Sequence, residues 1–351
     1  MNAPEKPAMS GVKTPWTTPP GEGEVIEVAE GVLWIRMPLP MVLDHVNVYA
    51  LDDGDGWTIV DTGMKSKRSI AIWQGLMAGP LAGKPIRRVI GTHHHPDHIG
   101  LAGWFQTEHG AELWMSRTAW LFARMLTLDV QTKPVPETLG FWRSAGMDAE
   151  ILAKRATERP FNFADMVAPL PVGFRRIQQD DVIRAGGRDW DVHFGNGHAP
   201  AHVTLWSRDD HLVISGDQIL STISPNIGVY ATEPEADPLG EWLEACMRLR
   251  PLAREDHLAL GGHKLPFTGL PFRMTQLIEN HHGALARLLD HLKTPRVAAD
   301  CFAPLFKRSI GEGEYGLALV ESIAHLSHLY ATDQVTRVKR GDGAWLYQTR
   351  G

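Results

Sequence analysis

The stretch GTHHHPDHIG, residues 91 to 100, places four histidines and an aspartate within ten positions. Imidazole and carboxylate are donors for divalent cations, so the cluster is either a metal site or a polar turn rich in His. His93 and His95 lie two apart, as do His95 and Asp97, with His98 adjacent, and a tight loop can aim such side chains at two neighbouring points. One loop cannot close a coordination sphere. Three further segments offer the missing donors: GNGHAPAH with His198, ISGDQ with Asp217 and LGGHKLP with His263. Each follows or ends a strand-like run and carries glycine, which lets backbone crowd a site. With no thiolate in the set, two divalent ions of the Zn2+ type are expected, with Fe or Mn as the other candidates.

These donors need a scaffold. Apolar or alternating runs at 32–37, 46–51 and 57–60, the last two separated by the turn signal DDGDG, read as consecutive antiparallel strands. A helix is expected from 66 to about 77, then a buried strand running into the His cluster, then a helix from 99 to about 109. Residues 117–158 are helical in pattern and broken by prolines, an insertion between two strand-rich halves. Strand signals return at 182–185, 189–194, 203–207 and 212–215. From 272 the pattern changes to long helices, FRMTQLIENHHGALARLLDHLK, RVAADCFAPLF and EYGLALVESIAHLSHLY. The last carries Leu319, Val320, Ile323, Leu326 and Leu329 at helical spacing. QVTRVKRGDGAWLYQ then reads as a hairpin. The expected organisation is a flexible leader over 1–23, a catalytic domain over 24–270 and a winged-helix-like domain over 271–351.

Composition narrows the classes. The chain has 351 residues, 43% hydrophobic and 22% charged, with a net charge of −6, so its overall field does not attract phosphate backbones or anionic lipid. Nucleic acid is therefore disfavoured as the main ligand, though a local basic patch stays open. Cys246 and Cys301 lie far apart and imply neither disulfides nor a thiolate metal site. The Pro- and Gly-rich N-terminus has no apolar signal core, and no run approaches the roughly 20 apolar residues of a membrane span. A cytoplasmic protein without membrane association is expected. The C-terminal module suits a lid or dimer contact better than nucleic-acid binding, so a homodimer is an open expectation.

Taken together, HHHPDH at 93–98, GHAPAH at 197–202, SGD at 215–217 and GGH at 261–263, preceded by VDTG at 60–63, resemble the metallo-β-lactamase-fold hydrolases in order and spacing. The likeness runs over about residues 24–270 and implies an α/β fold, an αββα sandwich with a binuclear centre at the edge of two sheets. By that resemblance His93, His95 and His198 would hold one metal, Asp97, His98 and His263 the other, and Asp217 would bridge them. Asp61 would orient a ligating imidazole and His202 would support the site without binding metal. His94 is expected to point away. Asp97 would carry protons for a metal-bridging hydroxide. His45, beside a loop that often borders the pocket in this fold, is a candidate substrate contact.

The fold serves many substrates. The architecture resembles the glyoxalase II-like hydrolases with a C-terminal winged-helix-like extension, which implies a small thioester, ester or lactone as acyl substrate. Trp120, Phe122, Met125, Leu126, Phe141 and Trp142 of the insertion would either cover an apolar acyl pocket or pack the insertion onto the domain. The competing reading is an endoribonuclease acting on single-stranded RNA with the same centre. A non-catalytic scaffold would require a broken ligand set, and the set is intact.

Overall fold

The computed structural model describes residues 11–351, so the first part of the expected leader lies outside the described residues. Strands β1 (Val25–Ala29), β2 (Val32–Pro38), β3 (His45–Asp52) and β4 (Trp57–Val60) form an antiparallel run. The DDGDG segment turns β3 into β4: Asp53 N–H donates to the Gly56 carbonyl at 3.0 Å, and Gly54 adopts a φ of 88° that only glycine takes without strain. Helix α1 (Lys67–Ala78) starts where the Ser66 hydroxyl accepts from Ser69 N–H, and it buries Ile72, Trp73 and Leu76. β5 (Ile86–Ile90) follows, parallel to β4.

The helix expected from 99 begins earlier and is broken. Pro96 opens α2 (Pro96–Ile99), and α3 (Ala102–His109) begins after Gly100. A Cβ on Gly100 would lie 2.5 Å from the Lys65 nitrogen and from the Pro96 carbonyl oxygen, so the backbones meet where a side chain would not fit. β6 (Glu112–Ser116) leads into α4 (Arg117–Leu128), α5 (Pro136–Ser144), α6 (Ala149–Thr157) and a further short helix α7 (Phe163–Met166). β7 (Arg175–Ile177) then completes a seven-stranded sheet in the order β1 to β7.

The second half contributes β8 (Val182–Ala185), β9 (Arg188–Gly195), β10 (His202–Ser207), β11 (Leu212–Gly216), helix α8 (Pro238–Leu249) and β12 (Leu258–Gly261). They form a five-stranded sheet ordered β12-β11-β10-β9-β8. Helices α9 (Leu270–His291), α10 (Phe302–Phe306) and α11 (Tyr315–Ala331) follow, and the expected hairpin is β13 (Val335–Lys339) with β14 (Trp345–Thr349). RVAADCFAPLF forms a 3-10 turn and a helix of five residues, shorter than expected. The apolar face of α11 is wider than its leucine stripe, because Ala318, Ser322, Ala324, His325 and Ser327 are buried too.

The layers follow from strand periodicity. In β2, Val32 and Trp34 point between the sheets, where they meet Ile183, Trp190, Val203 and Leu205 of the second sheet. Ile35 and Met37 point the other way, onto Trp73 of α1 and Phe105 of α3. The outer face of the second sheet, with Trp206, Val213 and Ala259, packs on Trp242 and Leu243 of α8 and Met274 and Leu277 of α9. Trp34, Trp73, Trp190 and Trp242 are all fully buried, each stabilising its layer by roughly 2–3 kcal/mol. This is an αββα sandwich. No helix among the described residues is long and apolar enough to cross a membrane.

Candidate metal centre

Five strands of the two sheets end at one edge, and a short segment after each carries a candidate donor or its anchor. Asp61 follows β4, the His93–His98 loop follows β5, His198 follows β9, Asp217 follows β11 and His263 follows β12. Backbone bonds join the sheets there: Val203 N–H donates to the Thr92 carbonyl and Asn47 N–H to the Gly262 carbonyl, both at 2.7 Å. Asn47 Nδ2 and Tyr49 Oη both donate to the Gly261 carbonyl, at 2.9 and 2.8 Å. Gly262 is a point of close approach between the two sides. A Cβ there would lie 2.3 Å from Asp217 Oδ1 and 2.6 Å from His98 Cε1, so any larger residue would push the donor set apart.

The structure brings all seven expected donors together, in three groups whose ligand atoms lie within 4.8 Å of one another: His93, His95 and His198; His93, His98 and Asp217; Asp97, His98 and His263. Asp217 Oδ2 is 3.5 Å from His98 Nε2, 3.6 Å from His198 Nε2 and 3.2 Å from His263 Nε2, so it touches both ends of the cluster. Asp97 Oδ2 is 3.6 Å from His98 Nε2 and 3.4 Å from His263 Nε2.

Anchors on the far side of the rings fix which nitrogen is free. His198 Nδ1 donates to the Asn226 carbonyl and His263 Nδ1 to the His45 carbonyl, each at 2.7 Å. His98 Nδ1 donates to Asp61 Oδ2 at 2.7 Å. The Thr92 hydroxyl donates to the same Asp61 oxygen at 2.8 Å, which leaves it to accept from His93 Nδ1 at 3.0 Å. The Nε2 of each ring therefore faces inward: those of His93 and His198 carry lone pairs, and those of His98 and His263 would offer theirs to a cation on losing a proton. Asp61 itself sits at φ 60°, and the Thr92 N–H bond to its Oδ1, at 2.8 Å, helps hold that uncommon backbone.

This arrangement fits cations. The lone pairs of His93 Nε2 and His198 Nε2 face each other at 3.3 Å, and His95 Nδ1 lies 3.0 Å from His93 Nε2. The facing of the His93 and His198 lone pairs is repulsive unless an electrophile lies between the rings, whereas His95 Nδ1 donates to His93 Nε2 when it carries the ring proton. His98 Nε2 and Asp217 Oδ1 are buried and have no hydrogen-bond partner, a state that costs about 1–3 kcal/mol per group when nothing binds them.

The protonation energetics divide the cluster. Burial, reinforced by neighbouring imidazoles, pushes His93 and His95 well below the ordinary imidazole range, and burial lowers His198 against the opposing Asp217. For His98 and His263 burial also opposes the charge, but Asp217 and Asp97 outweigh it: His98 is raised well above its ordinary value and His263 to about 10. The two carboxyls respond in kind. Burial would raise Asp97 and Asp217, yet His98 and His263 hold both below the usual carboxylate range.

The remaining candidates take supporting positions. His202 Nε2 accepts from Asp217 N–H at 3.0 Å, and its ring stacks on His93 with centroids 4.6 Å apart. It orients one donor and backs another. His94 belongs to none of the three donor groups; its ring lies 5.3 Å from that of Phe122 and 6.2 Å from that of Phe163. His45 is engaged at both ring nitrogens, Nδ1 with Asp44 and Arg36 at 2.7 and 2.8 Å and Nε2 accepting from Lys264 N–H at 3.0 Å. Its carbonyl holds His263. Within the insertion, Trp120 stacks on Phe174 at 4.4 Å, and Phe141 and Trp142 pack against the C-terminal core, so those three serve packing.

Two cavities lie nearby. One of about 320 Å³ is lined by Arg36, His45, Ser221, Thr222 and Lys264, and it adjoins the centre through His45. Another, of about 360 Å³, lies between α4 and α7 against Lys65 and Arg124 and touches none of the seven donors, so it has no direct bearing on their chemistry.

Residues 41–266 match the family model of the metallo-beta-lactamase superfamily, and residues 285–350 match that of the metallo-beta-lactamase-like C-terminal domain. The chain is 27% identical over 324 residues to a probable metallo-hydrolase of Bacillus subtilis, covering 89% of this chain and 96% of that one. A beta-lactamase domain protein from Burkholderia ambifaria has a solved structure with 33% identity and a TM-score of 0.89, over 97% of this chain and 99% of that one. A metallo-beta-lactamase family protein from Thermus thermophilus gives 25% identity and a TM-score of 0.76, over 92% and 100%. By sheet order, donor set and sequence match alike, the chain belongs to the metallo-beta-lactamase superfamily.

Proposed function

We propose that this chain is a cytoplasmic, binuclear-metal-dependent hydrolase of a small thioester, ester or lactone. The observation that carries the reading is the convergence of seven buried or half-buried donors, with the rings of His93, His98, His198 and His263 fixed by anchors behind them. His93, His95 and His198 would hold one ion, Asp97, His98 and His263 the other, with Asp217 shared. Two divalent cations, most simply Zn2+, would supply the Lewis acidity that brings the pKa of a bound water toward neutrality and stabilises charge developing on a carbonyl oxygen.

The chain's own groups do the rest. The Asp97 side chain is 20% exposed, against 0% for His98, 3% for His263 and 7% for Asp217, so it is the carboxylate in this set with the freest access to water and substrate. It takes the proton of the attacking water and passes it to the leaving group as the acyl bond breaks. A thiolate leaving group needs that proton least, since a thiol pKa is about 8.5.

The surroundings support an acyl substrate over RNA. Beyond His94, Phe122 and Phe163 continue to Phe161, which is 61% exposed, and in the β2–β3 loop Met41 and Val42 are exposed as well. Arg36 is paired with Asp44, and the Lys65 ammonium donates to the Ala164 carbonyl at 3.2 Å, so two of the nearby cations are already engaged. An apolar acyl group fits the aromatic wall, and a polar leaving group fits the cavity at Lys264.

The test is turnover by the fully metallated protein on acyl-CoA, glutathione thioester, lactone, phosphotriester and single-stranded RNA. Hydrolysis of a thioester, ester or lactone is expected. Cleavage of RNA alone, weakening steeply as salt rises, would move the assignment to the endoribonuclease.

A further inference from the structure

The loop after Asp217 crosses from the metal centre to the C-terminal helices. Arg273 of α9, 3% exposed, donates from Nε to the Leu220 carbonyl at 2.7 Å and from Nη2 to the Ile223 carbonyl at 2.8 Å. Further along, Val229 N–H donates to the Val320 carbonyl of α11 at 3.1 Å. A Cβ on Gly228 would lie 2.8 Å from Val320 Cγ2, so the loop presses directly on that helix. Between these contacts stands Asn226. Its carbonyl is the acceptor that fixes His198 Nδ1, at 2.7 Å, and its side-chain amide donates to Glu321 Oε2 of α11, at 2.8 Å.

We propose that Glu321 is a positioning residue for the metal centre: through Asn226 it fixes the ring of His198, so that the C-terminal helix sets the geometry of one of the two cation sites. The inference rests on the metal reading above and deepens it. Glu321 touches neither donor nor substrate. Its carboxyl oxygen accepts from Asn226 whether or not it is protonated, which matters because burial pushes its pKa up to about 7. An anchor behind a metal-binding imidazole typically contributes 10- to 100-fold in metal affinity, by fixing the ring's tautomer and orientation. A role limited to gluing α11 onto the body would lower thermal stability and leave metal affinity alone.

The experiment is a stepwise Zn2+ titration of the full-length, metal-stripped protein against a chromophoric chelator, which resolves two dissociation constants, with thermal unfolding of the metal-free protein in parallel. Glu321→Ala, which acts one bond behind the anchor itself, should weaken one equivalent by several-fold, up to about 10-fold, and leave the other unchanged. Glu321→Gln, which keeps an acceptor, should restore most of that loss. Asn226→Ala should lose at least as much as Glu321→Ala, because it also removes the longer bond from Asn226 Nδ2 to the Leu317 carbonyl at 3.5 Å, and the double variant should lose no more than Asn226→Ala alone. Should Glu321→Ala fail to fold, Asn226→Ala carries the test from the other end of the bond. Wild-type affinity at both sites in the Ala variants, losses that multiply in the double variant, or no rescue by Gln would overturn the proposal while leaving the hydrolase reading standing. Wild-type protein that takes up no Zn2+ would remove both.

Discussion

The two proposed donor trios share an edge of the sandwich and the Asp217 carboxylate that reaches both, yet they are held in opposite electrostatic states. His93, His95 and His198 are desolvated, face one another and have lowered pKa values, so all three stand neutral with lone pairs directed inward. Asp97, His98 and His263 lie among carboxylates, and in the absence of a cation the two imidazoles hold their protons, His263 up to about pH 10. The comparison teaches that one trio presents a cation with ready neutral donors, whereas the other presents net negative charge that protons otherwise balance. A cation entering the second trio must displace protons; one entering the first displaces none.

The strongest way to break this distinction is to remove what the trios share. Asp217→Ala takes away the carboxylate within 3.6 Å of His98, His198 and His263. It should lower kcat/KM by roughly 1,000-fold or more, about 4 kcal/mol of barrier, and reduce bound metal below one equivalent, as read by elemental analysis. Next in size, His95→Ala and His263→Ala should each leave one tight Zn2+ equivalent of the two. Retention of both by either variant would show that the trios are not separate sites.

Asp61→Asn tests the anchor of the second trio. The carboxylate accepts from His98 Nδ1, the Thr92 hydroxyl and Thr92 N–H, and its loss should weaken Zn2+ at that trio by about 10- to 100-fold. The smallest effect is the most diagnostic of the electrostatic contrast. Affinity at the second trio should rise with pH from below the ordinary imidazole pKa of about 6.5 toward about 10, while the first stays flat near neutrality. The sign is set by competition, because a raised imidazole pKa means more bound protons to displace. Calorimetry in two buffers of different ionisation heat should show proton release for one equivalent only. The metal-free protein carries the same signature: stabilisation from the His263 ion pairs is full below about pH 6.5 and is lost as pH climbs through about 10.

Much of the centre was legible because donor chemistry constrains residue type. Only His, Asp and a few others bind such ions, and their spacing after strands showed in the letters at 93–98, 198, 217 and 263. The anchors differ. The carbonyls of Asn226 and His45 that fix His198 and His263 are backbone groups, which every residue possesses, so nothing in the letters marks them. His45, expected as a substrate contact, does line the cavity beside the centre, but its ring nitrogens are engaged with Asp44, Arg36 and Lys264 N–H, partners that its own letter does not name. Phe141 and Trp142 could serve a pocket or packing because apolar letters do not name their partner, and here the partner is the C-terminal core. The short strand β7 was unreadable for another reason: Arg175 and Arg176 are exposed at the sheet edge and leave no hydrophobic alternation. Helix α8 likewise went unmarked, although Trp242, Leu243 and Leu249 bury one face of it.

The most direct test of the central claim is one titration: metal-stripped protein reconstituted with Zn2+ while bound metal per chain and thioester hydrolysis are followed together. Two equivalents should bind, with hydrolysis rising steeply as the second site fills and disappearing again on chelation. Full binding with no hydrolysis of any acyl substrate, or hydrolysis unaffected by removal of the metal, would contradict it.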